Sequence, residues 1–285
     1  MPLTSDSLPS VSVLVPHFEM SDSLRHLIFA LEKSVYPQDL VEVIVVDNGS
    51  SEELQIPNTT LNAKFLHEPK PGSYAARNTA FLASSGHVIA FTDADCLPKT
   101  DWLMAGVKCL LQGADRAAGG IEIAPNPNLG RGIYLYQKAF SFDVIADLDD
   151  KAHVATANMF TWRSIFAAVG PFDESAFSGG DKEWSQRFSE RGYNTVFCPE
   201  ATVVHGARSF RELIRHRKRL AGSVRSAHLR GNRKALFRRE FARPRAPAIR
   251  RVLHSSEPLA AKMSALVAAF ALHGIHLFWS LTFTM

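Results

Sequence analysis

The chain has 285 residues, of which 46% are hydrophobic and 21% charged, a composition typical of a folded protein that excludes an intrinsically disordered one. Its length allows one substantial α/β domain with an appendage. The three cysteines are far apart and form no CxxC pair, which argues against a disulfide framework or a cysteine zinc site and favours a reducing compartment. The N-terminus lacks a basic segment followed by a long apolar stretch, so we expect no secretory signal and a cytosolic main domain.

The net charge of +4 is distributed unevenly along the chain. Residues 1–205 carry 15 Lys/Arg and 25 Asp/Glu, a balance of −10, whereas residues 206–285 carry 17 Lys/Arg and 3 Asp/Glu, a balance of +14. A basic run can be a solvated helix face, but a run this one-sided favours contact with a polyanion.

Two strand–helix–strand patterns open the chain. The continuous β-branched runs at 11–15 and 43–46 are typical of strands covered on both faces. Between them, residues 21–34 carry apolar side chains at helical spacing. The same order of elements recurs at 63–68, 73–85 and 87–92. Because such crossovers build parallel sheets, the sequence predicts an α/β fold with a mostly parallel, Rossmann-like sheet flanked by helices.

Further elements follow, and they end in a basic and then an apolar segment. We predict a helix at 100–112, a strand at 117–124, a helix at 131–147 and alternating elements up to His205. The predicted organisation is a compact domain at 1–207, a basic helical extension at 208–262 and an apolar, membrane-associating helix at 263–285.

The apolar segment 263–285 contains no Asp, Glu, Lys or Arg. A bilayer-spanning helix needs about 20 mostly apolar residues, but histidines and small polar residues dilute this one. Three interpretations remain open: a membrane span, a helix lying in the membrane interface, and a helix packed on the main domain. The cations just upstream favour the first two, because Lys and Arg collect on the cytosolic face of membranes. We therefore expect residues 208–285 to meet an anionic membrane surface.

Carboxylates occur where three predicted strands or loops end. Asp47 follows one buried strand, Asp93 and Asp95 follow another, and Asp181 lies in a Gly-rich loop. A single Asp after a strand can be a turn former, but ligands of an open parallel sheet bind beyond the carboxyl ends of its strands, so we expect these side chains to converge. Neighbouring carboxylates repel unless a cation compensates. Oxygen ligands of this kind suit Mg²⁺ or Mn²⁺, which bridge carboxylates to substrate phosphates.

Four segments together carry a resemblance to a known family. They are "VSVLVPHFEMSDSLRHLIFALEKS", "VEVIVVDNGSS", "KPGSYAARNTAFLASSGHVIAFTDADCLPKTDWL" and "TANMFTWRSIFAAVGPFDE". Over residues 10–205 the chain resembles the family 2 glycosyltransferases, which have the GT-A fold and use nucleotide sugars. Each motif is modest alone, and the set is specific.

The resemblance implies a nucleotide-diphosphate sugar donor, most commonly a UDP-sugar in this family, and Mn²⁺ or Mg²⁺ as cofactor. It implies that Asp47 contacts the base and that the DxD acids hold the metal on the diphosphate, with Asp95 as the main ligand and Asp93 beside it. His205, after the last strand, is a further metal-ligand candidate. The implied donor-binding set is Pro16, Asp47, Arg77, Asn78 and Asp93.

The resemblance also implies an inverting reaction, in which a base takes the proton of the acceptor hydroxyl. The family carries this base on an acidic motif, usually Glu-Asp, followed by a helix that ends in Arg. The segment "SGGDKEWSQR" matches this motif, but Gly180 stands at the usual Glu position. Counting back from Arg187 makes Asp181 the base candidate, with Glu183 as the runner-up; the alternative is that Asp181 only caps the helix.

The sugar and acceptor pocket has two candidates. Asn158 lies in the segment that lines this pocket in the family. Trp184, next to the acidic motif, would either stack on a sugar ring or pack in the core.

Other classes of protein fit less well. A nucleotidyltransferase would carry a Gly-rich, basic loop after its first strand, where this chain reads "VPHFEMSDS". Neither GxGxxG nor a Walker A sequence occurs, which disfavours dinucleotide oxidoreductases and P-loop NTPases. The competing hypothesis is a nucleic-acid- or lipid-binding protein with a catalytically degenerate GT-A domain; the apolar tail favours lipid over nucleic acid. The sequence thus predicts a metal-dependent hexosyltransferase that acts on a saccharide or glycolipid hydroxyl at the cytosolic membrane face.

Overall fold

The structure, a computed structural model, describes residues 8–52, 54–142, 144, 153–176, 178–229 and 246–282. The chain forms two compact units. Unit 1 comprises Met1–Glu122, Val144–Ser175 and Gly180–His205, and unit 2 comprises Ile123–Asp143, Ala176–Gly179 and Gly206–Met285.

Unit 1 is built on an eight-stranded sheet. The strands are β1 (Val11–His17), β2 (Val41–Asp47), β3 (Asn62–His67), β4 (Val88–Thr92), β5 (Cys96–Pro98), β6 (Arg116–Ala124), β7 (Asn158–Trp162) and β8 (Thr195–Gly206). Their order in the sheet is β3-β2-β1-β4-β7-β6-β8-β5. The pairs β3–β2, β2–β1 and β1–β4 are parallel, whereas β4–β7, β7–β6 and β8–β5 are antiparallel. The α/β class predicted from the sequence is confirmed.

Helices lie between these strands and form most of unit 2. Unit 1 contains α1 (Ser21–Glu32), α2 (Ser73–Ala83), α3 (Trp102–Leu111), α5 (Arg163–Val169) and α6 (Gly180–Glu190). Unit 2 contains α4 (Arg131–Phe140), α7 (Phe210–Leu229), α8 (Ala246–Leu253) and α9 (Leu259–Thr282).

The parallel half of the sheet positions the acidic residues. Every residue of β2 and of β4 is buried, as expected for strands covered on both faces. In the register of this half, His17 of β1 lies opposite Asp47 of β2, and β4 ends one residue before Asp93. Asp47 and Asp93 therefore lie at the edge where the apolar core of this half of the sheet ends.

The structure differs from the sequence expectations at two elements, the strand β5 near the site and the helix α4 of unit 2. A short strand, β5, follows Asp95 directly and pairs with the end of β8, so that Cys96 lies opposite His205. A three-residue strand has no periodicity to read, and only its partner defines it. The helix expected at 131–147 ends at Phe140, because Ser141 has extended backbone geometry.

Unit 2 has its own core. Its members come from four helices and are Leu135, Tyr136, Ala139, Leu213, Val252, Ala265, Ala268 and Leu272. Helices α4 and α9 approach closely at Gly132, where an added Cβ atom would lie 2.3 Å from Ser264 Oγ. The apolar helix begins at Leu259, before the expected position 263, and Lys262 is accommodated because its Nζ donates to Leu253 O.

Candidate active site

The DxD motif forms a turn between β4 and β5, and its two acids have different partners. Asp93 Oδ1 accepts a hydrogen bond from Arg77 Nη2 at 2.5 Å. The Arg77 side chain is only 4% exposed, so a buried positive charge lies at the end of β4. A charge-assisted bond of this kind fixes the orientation of Asp93 and offsets its charge.

Asp95 pairs with His205. The antiparallel pairing of β5 with β8 brings His205 Nε2 to 3.1 Å from Asp95 Oδ2. Both atoms are of types that bind Mn²⁺ or Mg²⁺, oxygen above all for the latter. Within the described residues no group of three or more His, Cys, Asp or Glu side chains could hold an ion by itself. A cation here would therefore complete its shell with donor phosphates and water, which is how Mg²⁺ is commonly bound in phosphate-transfer sites.

Asp47 is fixed at the end of β2 by a polar cluster. Its Oδ1 accepts from Ser50 Oγ at 2.6 Å and lies 2.9 Å from His17 Nδ1, while its Oδ2 lies 3.4 Å from His67 Nδ1. Burial alone would raise the pKa of Asp47, but the hydrogen bonds from Ser50 and His17 hold it below its usual range. The carboxylate stays ionised, and Pro16 precedes the cluster at the end of β1.

Asn78 is buried and its amide holds a neighbouring segment. Its Nδ2 donates to Phe172 O and to Glu174 Oε1, and its Oδ1 accepts from Phe172 N, each at 3.0 Å. Glu174 in turn pairs with Lys70 at 2.6 Å. With these bonds Asn78 anchors the chain after α5 to α2, so any effect of this side chain on a nucleotide would be exerted through Phe172 and Glu174.

Asp181 lies at the second position of α6, and both of its carboxylate oxygens have polar contacts. His153 Nε2 is 3.4 Å from its Oδ2, and its Oδ1 accepts from Tyr74 OH at 3.3 Å and from Lys182 N at 2.9 Å. Burial would raise the pKa of Asp181, but the hydrogen bond and charge of His153, with the charges of Lys182 and Arg77, lower it to about 2. The group is therefore an ionised proton acceptor at neutral pH.

The glycine at position 180 is explained by Tyr74. A Cβ atom added to Gly180 would lie 2.8 Å from Tyr74 Cε2, inside contact distance. The Tyr74 ring thus fills the space in which the usual glutamate of the motif would begin. The hydroxyl group of Tyr74 contacts Asp181. Burial, together with the negative charge of Asp181, raises the pKa of the Tyr74 phenol.

Glu183, the runner-up for the base, is committed elsewhere. Its two carboxylate oxygens accept from Arg187 Nε at 2.6 Å and Nη2 at 3.0 Å. Arg187 also donates to Val169 O and Pro171 O, so this ion pair ties α6 to the end of α5. A carboxylate held in a bidentate pair is poorly placed to accept another proton, which favours Asp181.

Asn158 and Trp184, expected at the sugar pocket, are buried. Asn158 accepts from Trp102 Nε1 and donates to Gly120 O and Ala201 O, so it joins β7 to its neighbours. The Trp184 ring is fully buried and stacks on Phe166 with a centroid distance of 5.2 Å. The structure thus favours the core interpretation of Trp184, and the amide of Asn158 is fully used within the protein.

One face of α2 connects the separate parts of the site. Arg77 reaches Asp93, and one turn earlier Tyr74 reaches Asp181. The Arg77 guanidinium also lies over the Tyr74 ring, 5.5 Å from its centroid. His153 could not be predicted from the sequence, because an isolated histidine in a polar stretch belongs to no motif. His17 did have a signal, since it follows Pro16 at a strand end.

Comparison with known proteins identifies the class. The profile of Glycosyl transferase family 2 matches residues 12–241. The chain is a member of this family. The glycosyltransferase AglE of Haloferax volcanii is 33% identical over 223 residues, which cover 76% of this chain and 73% of that protein. The protein is therefore a glycosyltransferase, as the sequence resemblance predicted.

Solved structures agree on the fold. The mannosyltransferase PcManGT of Pyrobaculum calidifontis, in complex with GDP-Man and Mn²⁺, superposes with a TM-score of 0.57 at 21% identity and covers 98% of this chain and 85% of its own. S. aureus TarS 1-349, in complex with UDP-GlcNAc, gives a TM-score of 0.55 at 15% identity, and the match covers 92% of this chain and 80% of the TarS chain. At these identities the likeness shows the GT-A fold of this chain.

Proposed function

We propose that this protein is an inverting, metal-dependent hexosyltransferase of polysaccharide or glycolipid biosynthesis. It transfers a sugar from a nucleotide-diphosphate donor, with a UDP-sugar as the first candidate, to a hydroxyl of a saccharide or lipid-linked acceptor. The acceptor is met at the cytosolic face of a membrane, to which unit 2 binds. Among proteins of the same fold, PcManGT is complexed with GDP-Man and Mn²⁺ and TarS with UDP-GlcNAc, which supports this class of donor and cofactor.

The observation that carries the proposal is the linkage of the DxD turn to the base candidate through α2. Arg77 holds Asp93, and Tyr74 and the charge of Arg77 act on Asp181. A structural acid would need no such connection to the DxD turn. An enzyme that must hold a diphosphate and deprotonate an acceptor within one site does need it.

The chain supplies each function of the transfer with a named side chain. Asp47 and its cluster at the ends of β1 and β2 bind the base of the donor. Arg77 binds the nucleotide side of the diphosphate, and Asp93 orients the Arg77 guanidinium beside the donor. Asp181, ionised and oriented by His153 and Tyr74, takes the proton of the acceptor hydroxyl as its oxygen attacks C1 from the face opposite the leaving diphosphate.

Asp95 and His205 would hold the divalent ion, which when bound offsets the negative charge that develops on the leaving diphosphate. Their contact of 3.1 Å brings one nitrogen and one oxygen atom together, which supports this assignment. Asp93, the other acid of the motif, is oriented beside them by its ion pair with Arg77.

The test is transfer by the purified full-length chain with Mn²⁺ and UDP-, GDP- and dTDP-sugars. A matching donor should raise the melting temperature only in the presence of the ion, and transfer should follow when a membrane lipid extract supplies the acceptor. The anomeric configuration of the product, read by NMR, should be opposite to that of the donor. Donor binding without transfer or donor hydrolysis would instead support a degenerate, lipid-binding protein.

A further inference from the structure

Helix α9 has two faces of different character. One face packs into the core of unit 2 and consists of small and apolar residues with one histidine, at most 8% exposed: Ala261, Ala265, Ala268, Leu272 and His276. The opposite face carries large apolar side chains that are 55–75% exposed: Leu259, Met263, Val267, Phe270 and Phe278. We refer to this second set as the apolar stripe. Its spacing of three, four and eight residues keeps it on one side of the helix.

The apolar stripe extends along nearly the whole helix. The 24 residues of α9 correspond to roughly 36 Å at the standard helical rise. The stripe contains no charged residue, and Gly274 between Phe270 and Phe278 adds no polar group. Single exposed apolar residues are ordinary on a protein surface, but a contiguous row of this size marks a surface that binds something apolar.

The packed face argues against a membrane span. By length and composition alone, the segment Leu259–Ser280 could cross a bilayer. However, α9 packs along α4 and α7, which would have to enter the bilayer with it. Helix α7 carries the exposed cations Arg211, Arg215, Lys218 and Arg219. Each charge near the bilayer centre costs at least about 2.5 kcal/mol, so a spanning α9 is strongly disfavoured.

The charges beside α9 identify the apolar partner. Lys218 Nζ lies 4.4 Å from the centroid of the Trp279 ring, which places an α7 cation against α9 itself. The acids on the described helices of unit 2 are few, and Glu212 is engaged by Ser209. The Trp279 ring in turn lies 5.6 Å from the ring of Phe278, the last residue of the apolar stripe, so a cation lies near this end of the stripe. An apolar row on a cationic unit matches a bilayer surface with anionic headgroups, where apolar burial and charge attraction act together.

We propose that unit 2 is an in-plane membrane-binding module. Helix α9 lies parallel to the bilayer with the apolar stripe inserted below the headgroups, and the cations of α7 contact lipid phosphates. The inference rests on the membrane placement within the proposed function and specifies how that placement is achieved. It is independent of the chemistry at Asp181, so it is tested in the absence of any donor sugar.

The experiment is flotation of the full-length chain with vesicles of phosphatidylcholine, with and without phosphatidylglycerol. The wild type should float with the anionic vesicles, and added salt should weaken its binding. The double variant Val267→Ser/Phe270→Ser should bind the vesicles at least about tenfold more weakly. It lacks the free energy that the wild type gains when these two apolar side chains move from water into the bilayer. Its unfolding midpoint should stay unchanged, since both side chains are exposed.

Controls separate this proposal from its competitors. Leu82→Ser, at a leucine that is 82% exposed on α2 of unit 1, should bind vesicles as the wild type does. Treatment of cell membranes with alkaline carbonate should release the wild type, as expected for an in-plane helix. Resistance to carbonate would overturn the proposal in favour of a span. The proposal would also be overturned if the double variant bound vesicles as tightly as the wild type. A dimer contact would then explain the apolar stripe if light scattering showed a stable wild-type dimer and a monomeric double variant.

Discussion

His153 Nε2 lies 3.4 Å from Asp181 Oδ2, and Tyr74 OH lies 3.3 Å from the other oxygen of the same carboxylate. Both side chains come from segments that precede Asp181 in the sequence, and together with Lys182 N they contact both carboxylate oxygens. This arrangement keeps a partly buried acid ionised. It therefore sets the pH range in which Asp181 can act as a base.

Replacement of His153 should change the pH dependence of transfer. In His153→Gln the histidine interactions that lower the pKa of Asp181 are lost while burial remains, so this pKa rises from about 2. We expect the acidic limb of kcat/KM to move to higher pH by roughly one unit or more. His87→Gln, an exposed histidine at the amino end of β4, is the control. An unchanged pH–rate profile in His153→Gln would assign His153 a purely structural role.

Asp181→Asn should abolish transfer and leave donor binding intact. The amide cannot accept the acceptor proton, so kcat should fall by roughly a hundredfold or more. Donor affinity, measured by calorimetry with Mn²⁺, should match the wild type. Glu183→Gln, which removes only the pair with Arg187, should retain most of kcat. If the Asn variant lost donor affinity, the residue would belong to the donor site.

Gly180→Ala should disturb Tyr74. The new methyl group would lie 2.8 Å from Tyr74 Cε2, so the ring must shift away from Asp181. We expect a loss of about 1–3 kcal/mol in the free energy of unfolding, as is usual for overpacking, together with a lower kcat. In the double variant Tyr74→Ala/Gly180→Ala the stability loss from the methyl group should largely vanish. Strict additivity of the two effects in urea denaturation would refute the steric explanation.

Removal of Asp95 should uncouple donor binding from the metal. In the wild type, Mn²⁺ and the matching donor together should raise the melting temperature, and a chelator should cancel the effect. Asp95→Ala should show no difference between the two conditions, and His205→Ala should show a smaller one. Glu122→Gln, which breaks an exposed pair with Lys99, serves as the control. A full melting shift in Asp95→Ala would place the ion elsewhere.

Because of Glu42, the free energy of unfolding should depend on pH under acidic conditions. Burial would raise the pKa of Glu42, but hydrogen bonds from Ser12, Ser85 and Lys64 lower it from 4.5 to about 2. Because the folded pKa is the lower one, the stabilisation is fully present above pH 4.5 and is lost as the pH falls toward 2. We expect it to be about 2–3 kcal/mol.

Chemical denaturation at pH 7 and pH 3 measures this contribution. Glu42→Gln should lose stability mainly at pH 7, so that the difference between the two pH values shrinks relative to the wild type. Glu190→Gln, at an exposed position of α6, should keep the wild-type difference. Equal pH sensitivity in Glu42→Gln and the wild type would contradict the assignment.

The sequence predicted the elements around the site well and the partners of the site residues poorly. The strands that end at Asp47 and just before Asp93 were predictable, because a short β-branched run has few alternatives to a buried strand. The role of Asn78 was harder, since the chain it holds, at Phe172 and Glu174, lies 94 and 96 residues away. Likewise, nothing local in the sequence shows that Trp184 packs against Phe166 within the core.

What the sequence determined by itself is the family, the α/β fold and the position of the carboxylates at strand ends, because periodicity and strand-end motifs are local properties of the chain. Only the tertiary structure decided that Asp181 is held by His153 and by Tyr74, which is 107 residues away. It also decided which face of α9 is covered, and with it the in-plane orientation proposed here. Both depend on contacts between distant segments, and such contacts exist only once the chain has folded.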